Sequence, residues 1–191
     1  MTTTPVSSSS KGTKRRDLII EATLDVIAAE GVSGASVRRV AAEADVPLGS
    51  MTYYFAGRQE LLLEAFERFV ERSVKHFHAE FDDVDSLESA RAAMVRILTV
   101  NAYMEPPNII IGAELYALAA HDPYFVPVQR SWMHRSRDAI RQYFDEATTL
   151  MLDAMVEGMS MHRSFERDFH PAELVAVVIE RMTPPETYIG P

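Results

Sequence analysis

Apolar and small residues recur along the first third of the chain at the spacing of short helices. Residues 19–27 place them at positions i, i+3, i+4, i+7 and i+8, which is the stripe of a helix with one buried face. Gly31 then suits a helix end, because glycine adopts a left-handed cap at little cost. Ser36 is typical of an N-cap, and residues 37–44 carry a second, shorter stripe. The pattern therefore predicts two helices separated by a short turn.

A third short helix is predicted from Pro47 to about Tyr54. Pro47 disfavours helix at the residue before it and is itself suited to a first helical turn. Asp45 falls in the tight turn between the second and third helices, where a left-handed residue fits and Asp tolerates that conformation. Met51 is placed to fill the small core between the helices. Two short helices joined by a tight turn make a helix-turn-helix, whose second helix enters the major groove of DNA.

The exposed side of this third helix carries small, hydroxylated and aromatic residues that suit base edges and phosphates. The two arginines at the start of the second helix could form a solvated face, but that end of the helix is expected to face the DNA backbone. In the aromatic run, Phe55 is expected in the core and Tyr53 on the surface, with Tyr54 left open. Pro47 and Gly49 have a structural explanation first, as helix start and as room for close backbone approach. The residues predicted to contact DNA are Arg38, Arg39, Pro47, Leu48, Gly49, Ser50, Thr52, Tyr53, Tyr54 and Arg58.

A family resemblance rests on residues at fixed spacing across these three helices and the start of a fourth. They are Arg16, Ile19, Ala22, Gly31, Ser36, Val40, Ala41, Ala44, Val46, Gly49, Tyr54, Phe55, Arg58 and Leu61. The stretch resembles the DNA-binding domain of the tetracycline-repressor (TetR/AcrR) family of one-component bacterial regulators. In that family, position 45 is usually Gly, position 52 a phosphate-contacting Tyr and position 58 a Lys. Arg58 keeps the charge and adds a fork suited to phosphate. Thr52 is shorter than Tyr, so the phosphate contact is expected to pass to Tyr53.

The remaining chain shows helical patterns and no strand signal, so the predicted fold is all-α with about nine helices. A long helix over about 58–80 links the DNA-binding domain to the C-terminal two thirds of the chain. A fifth helix begins after the N-cap Ser86 and is expected to end at Pro106-Pro107. Further helices are predicted over about 108–120, 125–144, 147–163 and 172–181. The resemblance implies a three-helix N-terminal domain and a C-terminal helical bundle, with homodimerisation through the last two helices.

The resemblance also implies a small-molecule effector bound within the C-terminal helices, and several polar or amphipathic residues on apolar helices are candidates. Each of them could equally be a satisfied core or surface residue. A buried Glu114 would favour a cationic or hydroxylated ligand. The predicted ligand-binding residues are Asn101, Tyr103, Glu114, Leu118, Trp132 and Met155, with Tyr116 and His134 as further candidates. The predicted dimerisation residues are Leu152, Val156, Met159, Leu174 and Val178.

Composition shifts divide the chain into four parts. Residues 1–13 are rich in Ser and Thr and are predicted to form a disordered arm. Residues 14–58 form the predicted DNA-binding domain, which includes the first turn of the linking helix over 58–80. Residues 59–182 form the ligand-binding and dimerisation domain, and residues 183–191 a flexible tail. The basic residues that close the arm could reach phosphates or a minor groove, or could simply solubilise it.

The formal net charge of −9 is unusual for a DNA-binding protein until it is divided along the chain. Residues 1–58 carry seven Lys or Arg against six Asp or Glu, a balance of +1. The remainder carries 12 against 22, a balance of −10, in the part that is not expected to touch DNA. Because the DNA-binding end is only weakly basic, we expect modest non-specific affinity and a need for two subunits on one operator.

The composition and the absence of certain motifs exclude several other classes of protein. The chain has no cysteine, and no apolar run approaches the roughly 18 residues that a membrane span requires, so a cytoplasmic location is expected. No G-x-S-x-G, H-E-x-x-H or G-x-x-x-x-G-K motif is present, and neither enzymatic activity, a cofactor nor a metal is expected.

The alternative is a helical interaction module that has lost DNA binding. The favoured hypothesis is a homodimeric regulator of transcription, a repressor of an inverted-repeat operator, released by a small and largely apolar molecule.

Overall fold

The computed structural model describes residues 8–100, 104–166 and 171–191, and over these residues it contains nine α-helices and no β-strand. The all-α prediction is confirmed. The helices are α1 Ser8–Gly34, α2 Val37–Glu43, α3 Leu48–Tyr54, α4 Arg58–Ala79, α5 Leu87–Thr99, α6 Pro106–His121, α7 Val126–Arg141, α8 Glu146–Arg163 and α9 Ala172–Met182. The chain forms two compact units that divide between Phe69 and Val70. No helix in the described ranges is long and apolar enough to cross a membrane.

Helix α1 is longer at both ends than its apolar stripe predicted. It begins at Ser8, so residues 8–13 are helical where a disordered arm was predicted. Once a helix is nucleated, each added residue gains a backbone hydrogen bond at little cost, so a polar extension can follow a buried stripe. Gly31 has a φ of 71° and interrupts the helix, which continues for one short turn to Gly34. The left-handed glycine was therefore predicted correctly, although the helix resumes beyond it.

The turn between α2 and α3 is set by backbone hydrogen bonds around a left-handed Asp45. This residue has a φ of 50°, as its place in the turn predicted. The Val46 amide donates to the Ala41 carbonyl at 3.0 Å and the Asp45 amide to the Ala42 carbonyl at 3.3 Å, the two bonds of a Schellman motif. Ser36 caps α2, because its hydroxyl accepts from the Arg39 amide at 3.1 Å. These bonds fix the angle at which α3 leaves α2.

The core of the N-terminal unit includes the first three turns of α4, whereas the sequence assigned only one turn of that helix to this domain. Helix α4 places side chains as far as Phe69 in this unit. They are buried because they repeat at helical spacing and pack into the same apolar core as residues of α1 to α3. The largest fully buried side chains of the unit are Ile19, Ile27, Met51, Leu61, Leu62 and Phe66.

In the C-terminal unit, prolines and short polar residues set where helices begin. Ser86 caps α5 together with Ser89, in a reciprocal arrangement of side-chain and backbone hydrogen bonds. Pro106 and Pro107 begin α6, although the pair was predicted to end the preceding helix before α6 began at residue 108. Proline lacks an amide hydrogen but has a helical φ, so the first turn of a helix accommodates it. Asp145 caps α8, because its carboxylate accepts from the Thr148 amide at 2.8 Å.

The C-terminal residues 183–191, predicted to be a flexible tail, pack against their own unit. Thr183 is buried, and its hydroxyl accepts from the Arg91 guanidinium at 2.9 Å. The Ile189 amide donates to the Tyr143 carbonyl at 2.9 Å, and Tyr188 forms a bridge with Phe144. Pro184 and Pro185 redirect the chain into these contacts instead of releasing it. The prediction failed because the contacts join residues that are distant in sequence.

Candidate DNA-binding and effector sites

Helix α3 presents an exposed face that carries most of the residues predicted to contact DNA. Tyr53 is 82% exposed and Leu48 is 49% exposed, while Met51 on the opposite face is 1% exposed. Phe55 is buried and Tyr54 is half-buried, with its ring edge-on to the Tyr53 ring. The predictions of a core Met51, a core Phe55 and a surface Tyr53 are therefore confirmed. Exposing the large aromatic side chain of Tyr53 to water is unfavourable in free energy, and the unbound chain gains nothing that offsets it.

The small residues of α3 leave its backbone accessible. A β-carbon added at Gly49 would meet no atom within 4 Å, so the packing of the chain itself does not require glycine there. The Ser50 hydroxyl donates to the Pro47 carbonyl at 2.7 Å and the Thr52 hydroxyl to the Gly49 carbonyl at 3.2 Å. Both hydroxyl oxygens keep lone pairs that can accept hydrogen bonds. The exposed Pro47 begins this face.

The two arginines at the start of α2 have different surroundings. Arg38 is exposed, and no ion pair to it occurs within the described ranges. Arg39 donates to the Glu30 carboxylate at 2.8 Å and to the Glu43 carboxylate at 2.7 Å, and these hydrogen bonds raise its pKa, that with Glu43 most. Arg38 is therefore the one of the two whose charge the unit leaves uncompensated. The prediction that both contact DNA remains a prediction.

Arg58 links the start of α4 to the turn before α2. Its guanidinium donates to the Ala35 carbonyl at 2.9 Å and to the Val32 carbonyl. Because two backbone carbonyls on the far side of the turn accept from it, the geometry explains Arg58 as a residue that positions the helix-turn-helix. The sequence had suggested only a phosphate contact for this residue. A phosphate contact by Arg58 stays a prediction.

A second arginine holds the end of α3 in place. The Arg16 guanidinium lies over the Phe55 ring, 5.2 Å from its centroid, and forms an ion pair with Glu64. Burial raises the pKa of Glu64 and the charge of Arg16 opposes that rise. Because Arg16 is on α1 and Glu64 is on α4, the contact ties both supporting helices to the residue that ends α3.

The C-terminal unit contains a polar cluster at the contact of α6, α7 and α8. The Arg137 guanidinium donates to the Asp153 carboxylate at 2.6 Å, and both side chains are largely buried. Tyr116 forms a hydrogen bond with the Glu157 carboxylate, and its ring lies 6.0 Å from the Trp132 ring between centroids. Burial raises the pKa of Glu157 to about 7, a value that the Tyr116 hydroxyl lowers, Asp153 raises and Arg137 lowers in turn.

The predicted ligand residues are only partly brought together. Asn101 and Tyr103 lie outside the described residues. Trp132 is buried beside Tyr116, whereas Glu114, Leu118 and Met155 are half-buried. The carboxylates of the polar cluster are Asp153 and Glu157, and a ligand contact by Glu114 stays a prediction. A pocket of about 320 Å³ opens elsewhere, between the start of α6 and the end of α8, and it is lined by Met104, Glu105, Pro106, Ile109, Ile110, Arg163 and Ser164.

Comparison with known proteins gives a family for the N-terminal helices and similar solved structures for most of the chain. Residues 19–65 match the model of bacterial regulatory proteins of the tetR family. The crystal structure of SCO7518 from Streptomyces coelicolor A3(2) is 39% identical in sequence, with a TM-score of 0.78 over 89% of this chain and 98% of that one. The chain belongs to the TetR family. Members of this family are DNA-binding regulators of transcription and not enzymes.

Two other TetR-type proteins have names that describe a ligand. The multidrug binding protein EbrR in complex with ethidium is 28% identical, with a TM-score of 0.73 over 88% of this chain and 98% of that one. The nicotine-responsive transcriptional repressor HdnoR of Paenarthrobacter nicotinovorans is 23% identical over 117 residues, 61% of this chain and 60% of that protein. The chain spans only 29% and 60% of the curated relatives that it matches.

The apolar surface of the last two helices differs from the one predicted for a TetR-family dimer. Leu152 and Val156 are 0% and 5% exposed, so they belong to the core of their own chain and were wrongly assigned to the interface. Because Asp153 and Val156 face inward, the exposed stripe of α8 runs through positions one residue before those predicted. Of the other predicted residues, Met159 and Val178 are half-buried and Leu174 is 50% exposed. The exposed large apolar residues of α8 and α9 are Leu150, Met151, Met161, Leu174 and Val177.

Sequence reasoning missed Asp153, Glu157 and Arg137 as members of the polar cluster. Asp153 and Glu157 stand at i and i+4 on α8, with the buried Ser160 at i+7. This spacing places three polar residues on one helical face and was a usable signal. The neighbouring methionines and aliphatic residues drew attention to the dimer interface instead. Arg137 gave no signal, because its partner lies on another helix.

Proposed function

We propose that this TetR-family chain is a ligand-responsive repressor. In this proposal a homodimer binds an inverted-repeat operator with α3 of each subunit in the major groove. A small, largely apolar molecule bound in the C-terminal unit then releases it. The observation that carries the proposal is the exposed face of α3, where Tyr53 is held out from a helix whose other face is anchored by Met51.

The DNA-binding part rests on access and positioning. Gly49 lets another backbone approach α3 closely, and Arg38 supplies a charge that the unit leaves uncompensated. Base edges are read by hydrogen bonds and apolar contacts, and phosphates by cations, hydroxyls and backbone amides. Leu48 and Thr52 offer the first kind of contact, and Tyr53 and Arg38 offer the second.

The dimer is supported by the exposed apolar residues of α8 and α9. Met151 and Gly158 are seven residues apart on α8, and a β-carbon at Gly158 would meet no atom within 4 Å. A stripe of exposed apolar and small residues at this period is typical of a helix that packs against a partner helix. A twofold dimer also explains why a weakly basic DNA-binding unit is sufficient, since two units share one operator.

Release by a small molecule is supported by the pocket of about 320 Å³ in the C-terminal unit and by the names of the relatives. EbrR is named as a multidrug binding protein and HdnoR as a nicotine-responsive repressor. Helix α4 runs from Arg58 to Ala79 and carries residues of both units. We propose that ligand binding acts through α4 on the spacing of the two recognition helices in the dimer.

The first experiment measures binding of the purified protein to DNA fragments from around its own coding region, by fluorescence anisotropy at two salt concentrations. We expect one fragment to bind tightly and to weaken as salt rises. Tyr53→Ala should weaken binding by about tenfold or more, because it removes a contact made at the DNA surface. Tyr124→Ala is the matched control, since Tyr124 is 44% exposed in the other unit and should leave binding unchanged.

Two results would oppose the proposal. If no genomic fragment binds, selection from random duplexes tests for an operator elsewhere, and failure of that selection would favour an interaction module without DNA binding.

If the double variant Met151→Lys with Val177→Glu is still a dimer by light scattering, the dimer does not use the exposed apolar stripe of α8 and α9. Ile189→Glu is the control for that pair, because Ile189 is 59% exposed but lies in the C-terminal residues after α9.

A further inference from the structure

Helix α3 carries none of the side chains that ordinarily identify bases by paired hydrogen bonds. Its seven residues, Leu48–Tyr54, contain no Arg, Lys, Asn, Gln, Asp or Glu. Arginine and lysine donate to guanine, asparagine and glutamine bind adenine, and the acidic residues accept from cytosine. If α3 lies in the major groove, as proposed, it must recognise its bases by another chemistry.

The two small hydroxyls of α3 are already used as donors inside the helix. The Ser50 hydroxyl donates to the Pro47 carbonyl at 2.7 Å. The Thr52 hydroxyl donates to the Gly49 carbonyl at 3.2 Å. Each hydroxyl has one proton, so while these bonds hold it can only accept from a base. Guanine presents the acceptors N7 and O6 in the major groove, so neither hydroxyl suits a guanine edge.

The tyrosine hydroxyls are the remaining side-chain donors of this helix. Tyr54 is half-buried, and its ring lies edge-on to the Tyr53 ring at an interplanar angle of 89°. Tyr53 is 82% exposed, and the proposed function assigns its hydroxyl to a phosphate. Phosphate contacts fix the position of a recognition helix and carry no sequence information directly. The reading of bases therefore falls to the side chains of Leu48 and Thr52.

Leu48 is an apolar side chain that α3 exposes to water at its first residue. It is 49% exposed, and Thr52 is exposed one turn further along the same face. The N-terminal residues of a recognition helix are those that contact base edges. The C5-methyl group of thymine is the apolar group that a base edge presents in the major groove. Contact with this methyl group would remove the exposed surface of Leu48 from water.

We propose that α3 recognises its half-site through the methyl groups of thymine, with Leu48 as the residue that determines this specificity. The inference rests on the proposed DNA-binding function and names the feature of the operator that this helix selects. The base pairs in contact with Leu48 are A·T pairs, and guanine edges are not read by α3. The side-chain methyl of Thr52 extends the apolar surface of Leu48 along the groove.

The test replaces single thymines of the operator by uracil, which keeps every hydrogen-bonding group of the base and removes only the C5-methyl. The duplex is the genomic fragment that binds in the anisotropy measurement, or the one obtained by selection from random duplexes. For the wild-type protein we expect at least one thymine in each half-site at which uracil weakens binding by about fourfold, which is the value of one methyl group removed from water.

Leu48→Ala should lose the response at that thymine. In this variant the thymine and uracil duplexes should bind equally, because the methyl group no longer has its partner. Leu18→Ala is the matched control, since Leu18 is 59% exposed on α1 of the same unit and its variant should keep the full uracil response. The response is a ratio of affinities within one variant, so a smaller folded fraction does not change it.

A second set of duplexes tests whether guanine is read. Each guanine of the half-sites is replaced in turn by 7-deazaguanine, which lacks the N7 acceptor of the major groove. We expect these duplexes to bind as tightly as the unmodified operator. A guanine at which this change weakens binding by about tenfold or more would show a donor acting on its edge, and would overturn the inference.

Two further results would also overturn it. One is tolerance of uracil by the wild-type protein at every thymine, and the other is an unchanged uracil response in Leu48→Ala. Either result, obtained with tight and salt-sensitive binding to the operator, would leave the proposed regulator standing. If neither genomic fragments nor selected duplexes bind, the proposed function fails and the inference fails with it, so the two failures are distinguishable.

Discussion

The left-handed conformation of Asp45 can be tested by comparing the stability of glycine and alanine variants at this position. The same comparison at a helical position of the unit should give the opposite order. Asp45 has a φ of 50°, and its side chain is exposed, so replacement changes the backbone preference more than any contact. An L-residue without a compensating side chain is destabilised by about 1–2 kcal/mol in this conformation. Glycine avoids that strain but loses about 0.4–1 kcal/mol through the greater freedom of its unfolded chain. Asp45→Gly should therefore be more stable than Asp45→Ala by about 1 kcal/mol.

The control is Asp25, an exposed residue inside α1. In a helix interior glycine is about 1 kcal/mol less favourable than alanine. Asp25→Gly should therefore be less stable than Asp25→Ala, the opposite order to that at Asp45. Since both comparisons use the same two residues, any general effect of losing an aspartate cancels.

Native-state hydrogen exchange of the amides in α2 and α3 is the suitable assay, because it reports opening of this unit separately from the rest of the chain. A difference of about 1 kcal/mol corresponds to roughly fivefold in exchange rate. Asp45→Ala should exchange about fivefold faster than Asp45→Gly at the Val40 and Met51 amides. If the two variants exchange equally, or if glycine is the faster, then the turn does not depend on a left-handed residue and the reasoning fails.

Three further predictions concern the C-terminal unit. Asp153→Ala leaves the largely buried Arg137 without its carboxylate and should lower the free energy of unfolding by about 3–5 kcal/mol in urea denaturation, while Arg137→Ala with Asp153→Ala should recover part of it. Gln129→Leu removes a buried donor without a partner and should raise stability by about 1 kcal/mol by the same measurement, and a loss would show that the amide is satisfied. Arg91→Ala removes the hydrogen bonds to Thr183 and should expose the C-terminal residues to carboxypeptidase, which should not trim the wild-type chain at the same rate.

The N-terminal unit could be predicted closely because its signals are local. Ser36 as N-cap, Gly31 and Asp45 as left-handed residues, and Met51 as core each follow from residues within one or two turns. Caps, turns and amphipathic stripes depend on neighbours in sequence, so a sequence states them directly. The role of Arg58 was predicted incompletely for the opposite reason, because its contacts are not local. Its acceptors lie more than twenty residues away.

The sequence by itself determined the helical architecture, the placement of the helix-turn-helix and the family, because periodicity and turn chemistry repeat at short range. Only the tertiary structure decided which helical faces are buried. It turned Leu152 and Val156 inward, brought Asp153 and Glu157 into the polar cluster, and packed residues 183–191 against their own unit. Every helix of a bundle has more apolar positions than one face needs. Which of them meet water depends on where the other helices lie, and that is set by contacts between residues far apart in the chain.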